Sequence, residues 1–264
     1  MRLAARIEGI GLLGPGLASW QRARETLAGR APYVPADTVI PAPEALPPVE
    51  RRRAGPCVRL ALAAGSAAAA DAGRSPRDLA AIFASSTGDG ENLHAICETL
   101  ASDDRLISPT RFHNSVHNAP AGYWGIATGS MRPADSLAAF DASFGAGLLE
   151  ALGRIVADPA QPVLLIAYDA PYPEPLHAAR PVAGAFAVGL VLAADGAASG
   201  SPHIAMDILS GTPGILADSQ LEQVRRGIPA ARALPLLMAL ARGGHEHVLL
   251  EYLDGLALAV DVRP

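Results

Sequence analysis

Apolar and polar residues alternate from Arg2 to Leu13, and the alternation stops at Gly14-Pro15-Gly16. The pattern predicts a strand with a hard end. Ser19 is placed to cap a short helix over Trp20–Leu27. Prolines then accumulate from Gly29 to Pro48 and periodicity is lost, which predicts a long surface loop. Residues 54–72 are rich in Ala and Leu and end at Gly73, as a buried helix would. Residues 79–85 read as an apolar strand entering the turn-rich loop Ser85–Gly90. Helices are expected over 91–101 and 114–128, separated by a break at Ser108-Pro109. A strand over 136–140 leads into a helix over 142–157. Residues 162–167 form a third inner strand, and residues 183–194 a fourth long apolar run after a Pro-rich connection. A strand over 204–209 and helices over 216–226 and 234–241 come next. The pattern closes with a hairpin of strands 247–252 and 256–262 around Asp254-Gly255, a strong turn signal.

The inner strands are apolar across their whole width and alternate with helices. Strands of that kind belong to a sheet covered on both faces. The expected class is therefore α/β, one half of a layered α/β/α fold. Composition fits a single compact domain, or one domain plus a fragment of a second, in 264 residues. Half the residues are hydrophobic, 18% are charged and only 5% are aromatic, so Ala, Leu and Val must fill the core. The net charge is −5, and the densest basic cluster is Arg51-Arg52-Arg53, read as a solvated helix start. Nucleic acid is not expected as a partner. Cys57 and Cys97 fit no metal or redox spacing and read as buried small hydrophobes in a reducing compartment. The first residues have no signal-peptide architecture, and no apolar run is long enough to span a bilayer, so the cytoplasm is the expected location.

Several short motifs invite chemistry and have plainer readings beside it. Asp141 stands at the junction of a strand and an Ala/Leu helix, where Asp is among the best N-caps. Ser143 lacks the flanking glycines of a nucleophile elbow and reads as a first-turn serine. Gly88-Asp89-Gly90 has no following Lys-Ser/Thr and reads as a tight connection, not a phosphate loop. His113 and His117 are four apart, and His245 and His247 two apart, but neither pair has an evident third ligand. No metal and no cofactor are expected.

Taken in order, Ser86-Thr87-Gly88, Ser108-Pro109, Asn118, Gly122, Gly129, Pro133 and the turn at Asp141 resemble the N-terminal half of the β-ketoacyl synthases, which have the thiolase fold. Gly9-Ile10-Gly11 through Leu27-Ala28-Gly29-Arg30 resembles that family's first strand and helix, and residues 183–192 its closing strand. The resemblance implies a complete N-terminal thiolase half over residues 1–200 and a truncated remnant of the second half over 201–264. Counting without a gap from Ser108-Pro109 puts Asp141 on the family's reactive-cysteine position. The motifs around the family's two histidines are not recognisable in the remainder. A helix N-terminus suits a thiolate, whereas the same dipole stabilises a carboxylate and lowers its nucleophilicity.

The resemblance therefore implies a non-catalytic partner subunit of chain-length-factor type. Such a subunit pairs with a full-length β-ketoacyl synthase and meets acyl carrier protein indirectly. It shapes the acyl or polyene tunnel in fatty-acid or polyketide-type synthesis, as in aryl polyene assembly. Candidates for an acyl cavity are Phe140, Ser143, Phe144, Asn118 and Phe186, although buried aromatics ordinarily just fill a core. The family pairs through the edge strand before the nucleophile, which makes Ser136, Leu137, Ala138 and Ala139 interface candidates for a heterodimer, or for a homodimer in isolation. Two other readings stand beside this one. One is a thioester decarboxylase or hydrolase using Asp141. The other is a solitary module that binds an acyl carrier or acyl ligand, against which the acidic composition argues.

Overall fold

The structure is a computed structural model that describes residues 3–196 and 200–264. Arg2, the expected first residue of the opening strand, lies outside the described residues. The strand β1 runs Leu3–Leu13, and α1 (Trp20–Leu27) follows, with the Ser19 hydroxyl accepting the Arg22 amide as its cap. The long loop leads to α2 (Pro48–Arg53), α3 (Pro56–Asp71) and β2 (Ala80–Ala84). Then come α4 (Gly90–Ala101), α5 (Pro109–Asn114), α6 (Ala119–Thr128), β3 (Ala134–Leu137) and α7 (Ser143–Ala157). They are followed by β4 (Val163–Asp169), the four-residue α8 (Leu176–Ala179), β5 (Phe186–Ala193), β6 (His203–Ser210), α9 (Ser219–Gly227) and α10 (Leu234–Arg242). The hairpin β7 (Glu246–Glu251) and β8 (Leu256–Arg263) closes the chain. No described helix is long and apolar enough to cross a membrane.

All eight described strands form one mixed sheet in the order β3-β2-β4-β5-β1-β6-β8-β7. β2 is parallel to β3 and β4, and the remaining pairs are antiparallel. The inner strands sort their side chains by period two. Ala81 and Phe83 face one core with Leu164 and Ile166, while Ile82 and Ala84 face the other with Leu165 and Ala167. The helix α3 covers the first face. It comes close because the paired residues Gly11 and Gly189 have no side chains, and a Cβ on either would strike the Ala64 carbonyl.

On the other face the sheet folds over α7. β1 meets β6 along only Leu3–Arg6, and β6, β8 and β7 then turn their apolar side onto the core that holds α7 and α10. α7 is thus gripped from two sides, and two glycines record it. Residues 145 and 147 lie on opposite faces of a helix, about 200° apart. A Cβ on Gly147 would stand 2.7 Å from Leu165 Cδ1, and one on Gly145 2.6 Å from the Glu251 carbonyl. The residues after position 200 therefore extend the first sheet and close its core.

Four expectations need correction. The edge strand β3 begins at Ala134 and ends at Leu137, so Phe140 falls outside it. The expected 114–128 helix starts only at Ala119, since Pro120 fits only a helix's first turn, and Asn114 ends the separate helix α5. Arg51, Arg52 and Arg53 end α2 instead of starting it, where cations suit the helix dipole. Cys97 is exposed, whereas Cys57 is buried as expected.

Candidate functional site

Ligands of open α/β sheets bind beyond the carboxyl ends of the parallel strands. Here those ends belong to β2, β3 and β4, and they bring together Ser85-Ser86, Phe140-Asp141 and Asp169. β3 runs into a single 3-10 turn, Phe140–Ala142, before α7 starts. Phe140 has φ +53° and is the one described non-glycine residue with positive φ. Such a backbone is sparsely populated for an L residue and typically costs about 1–3 kcal/mol. The turn is held from inside by Ser143. Its Oγ donates to the Phe140 carbonyl at 2.7 Å and accepts the Ala139 amide at 3.0 Å.

Asp141 does not cap α7. The residue before the helix is Ala142, and no side chain bonds the free amides. The carboxylate turns to two arginines instead. Arg180 Nη2 donates to Asp141 Oδ1 at 2.9 Å, and Arg232 Nη2 lies 3.8 Å from Oδ2. A full guanidinium charge is a stronger partner than a helix end. The same Arg180 nitrogen donates to Ser86 Oγ at 2.7 Å, and the guanidinium carbon lies 3.4 Å from the centre of the Phe140 ring. Arg232 also pairs with Glu251. Glu251 accepts from Arg225 at 2.8 Å, and Arg225 forks onto both oxygens of Glu222 at 2.7 Å. Acid and base alternate along this chain from the turn to α9. Burial holds the Arg232 guanidinium below its ordinary range, against the pull of Glu251 and Asp141.

Asp169, the last residue of β4, is buried. Its Oδ1 accepts the Ser86 amide at 2.9 Å and the Ser85 hydroxyl at 3.1 Å, and its Oδ2 accepts the Ala230 amide at 2.8 Å. Burial pushes its carboxyl up to about 7, and these three donors, with the Arg180 charge, offset only part of that rise. His117 Nε2 stands 3.2 Å from the Ser85 carbonyl. His113 packs edge-on to Tyr123, and His247 Nδ1 pairs with Asp261 at 2.7 Å, so neither histidine pair acts as a pair. Among the described residues no group of three or more His, Cys, Asp or Glu is arranged to hold a metal ion.

The five acyl-cavity candidates do not converge. Phe144 and Phe186 are fully buried core side chains, and Ser143 is spent on the turn. Asn118 is exposed before α6 and makes no side-chain cap. Phe140 alone stands at the turn with its ring in the open, 60% exposed. Of the interface candidates, Ser136 and Leu137 lie in β3, while Ala138 and Ala139 follow it. β3 is an edge strand bonded to β2 alone. The carbonyls of Pro133 and Leu137 accept from Ala81 and Ser85, so alternation points the backbone groups of Ala134 and Ser136 outward.

Arg180, Arg232, Glu251 and Asp169 carry most of the site, and sequence reading missed all four. Arg180 sits in a Pro-rich connection with no periodicity, and only the Glu222–Arg225 spacing was a readable signal.

Residues 20–242 match the family model described as "Beta-ketoacyl synthase, N-terminal domain". A search of curated proteins finds no match. Among solved structures the chain is similar to one described as a ketosynthase (ApeO) in complex with its chain length factor (ApeC) from Xenorhabdus doucetiae. Identity there is 23%, the TM-score 0.74, and coverage 98% of this chain and 99% of that one. It is also similar to the ishigamide ketosynthase/chain length factor, at 13% identity, TM-score 0.71 and 99% coverage of both chains. A third is a type II PKS acyl-carrier protein in complex with its ketosynthase bound to the hexaketide (AntDE:AntF). It aligns at 12% identity and TM-score 0.76, over 100% of this chain and 99% of that one. At these identities the likeness is one of fold.

Proposed function

Because the chain belongs to the β-ketoacyl synthase N-terminal domain family, we propose that it is a non-catalytic partner subunit of chain-length-factor type. It pairs with an active synthase in the cytoplasm and shapes the path into which that enzyme's acyl chain grows. The pathway class is fatty-acid or polyketide-type synthesis, with aryl polyenes as the specific product class. One observation carries this reading. The turn after β3 presents an exposed Phe140 and an ion-paired Asp141, where the resemblance implies a reactive cysteine. A carboxylate engaged by two guanidinium groups makes a poor nucleophile toward a thioester.

The open edge of β3 supports pairing with a second subunit, since its outward amide and carbonyl groups lack a strand partner among the described residues. Exposed apolar side chains on the nearby α6–β3 segment, Ile126 and Met131, suit the same contact. Acyl carrier protein meets this subunit only through the synthase, and the chain forms homodimers when no synthase is present. On this reading residues 1–200 are the N-terminal half of the family's fold and 201–264 the remnant of the second.

The test is co-expression with a full-length synthase encoded beside it, followed by size-exclusion chromatography with light scattering. A stable one-to-one complex is the expected result. A chain that stays monomeric with and without the synthase ends the proposal.

A further inference from the structure

Phe140 combines three features that core packing does not explain. Its backbone is in the left-handed region, the residue is 60% exposed, and its ring nonetheless has a fixed neighbour. Strain at an exposed apolar residue gains nothing from burial, and strain of this kind concentrates at functional sites. The neighbour is Arg180, whose guanidinium carbon lies 3.4 Å from the ring centre. Arg180 is itself held twice, by Ser86 Oγ from the loop after β2 and by Asp141 from the turn. Ser143 fixes the Phe140 carbonyl from below. The ring thus has a clamped face and an open one, three residues past the end of the edge strand.

We propose that Arg180 is a positioning residue that clamps the Phe140 ring, and that the clamped ring is the wall limiting how far an acyl chain extends in the complex with the synthase. The inference rests on the partner-subunit reading and adds to it the residue that sets length and the residue that holds it. The ligand class is an extended apolar chain on a carrier-protein thioester. A conjugated chain gains further from stacking on a flat aromatic face. A wall must not turn aside when pressed, and the cation–π contact with its two anchors restricts that motion.

The experiment reconstitutes the chain with its synthase, carrier protein and extender thioester. Complex formation is read by light scattering and product length by mass spectrometry. Phe140→Ala is expected to keep the complex and shift the products longer by at least one extension unit. Phe140→Trp shifts them shorter. Arg180→Ala broadens the length distribution, and so does Arg180→Lys, which keeps a charge for Asp141 but loses the flat group over the ring. An unchanged distribution in Phe140→Ala and both Arg180 variants, with the complex intact, overturns the proposal. So does loss of the complex in Phe140→Ala, which would make the ring an interface anchor. Failure of the unmodified chain to bind the synthase, with products identical in its absence, sinks the partner-subunit reading instead.

Discussion

The Arg180 guanidinium carbon sits over the Phe140 ring, 3.4 Å from its centre, while one of its nitrogens reaches both Ser86 and Asp141. One side chain from a Pro-rich connection thereby joins the ends of two parallel strands. Its neighbours determine what Asp141 can do, and that can be measured.

Asp141→Asn removes the charge that faces Arg180 and Arg232 while keeping the shape. The site is part-exposed, so a loss of about 1–2 kcal/mol is expected in denaturant unfolding. Neither the natural chain nor the variant should turn over malonyl- or acyl-thioesters. Turnover that disappears in Asp141→Asn would revive the decarboxylase or hydrolase reading.

Ser136→Pro separates pairing from folding. The Ser136 amide points away from β2, so proline there breaks no bond of the sheet. Unfolding should change little, while the synthase complex should be lost. A proline variant that still binds at full strength would exclude β3 as the pairing edge.

Asp169 makes stability depend on pH. Its folded carboxyl titrates near 7, against an ordinary value of 3.8, because burial disfavours the charge. Between these values the unfolded chain is ionised while the folded one keeps its proton. The contribution is fully present below about pH 4 and fades as pH rises through about 7, an effect on the order of a few kcal/mol. Asp169→Asn should flatten the slope of unfolding free energy between pH 5 and 7. An equal slope in both proteins would assign the dependence to other groups.

The grip on α7 predicts opposite signs for similar changes. Gly145→Ala and Gly147→Ala push a methyl into Glu251 and Leu165 and should each cost about 1–3 kcal/mol. Gly153 has open space around it, so Gly153→Ala should stabilise by about 0.5–1 kcal/mol. Thermal unfolding of the three variants compares them directly. Stabilisation by Gly145→Ala would mean that β7 does not press on the helix.

The strands β2, β4 and β5 were legible because burial on both faces leaves an unbroken apolar run. β3 was misplaced for the opposite reason. An edge strand tolerates exposed Ala134 and Asp135, so the more apolar residues 138–140 attracted the assignment although they lie past the strand and lead into the turn. The family was readable from small residues in order, since close packing and tight turns need Gly and Pro at set places. The ion-pair chain was not. Asp141 meets Arg180 39 residues away and Arg232 still farther along, and no local period links them. Asp looked like a cap because its local sequence fits one, but long-range charge took the carboxylate elsewhere.

The first strand bears on how the chain reaches its native state. β1 is flanked by β5 and β6, so both of its neighbours begin more than 170 residues later. During synthesis it must wait, apolar and unpaired, until most of the chain has emerged. Contacts this distant in sequence slow folding, and a waiting strand edge invites association with other chains. Closing the sheet around β1 is therefore a late event, and a chain truncated before β6 would leave its first strand with one side unclaimed.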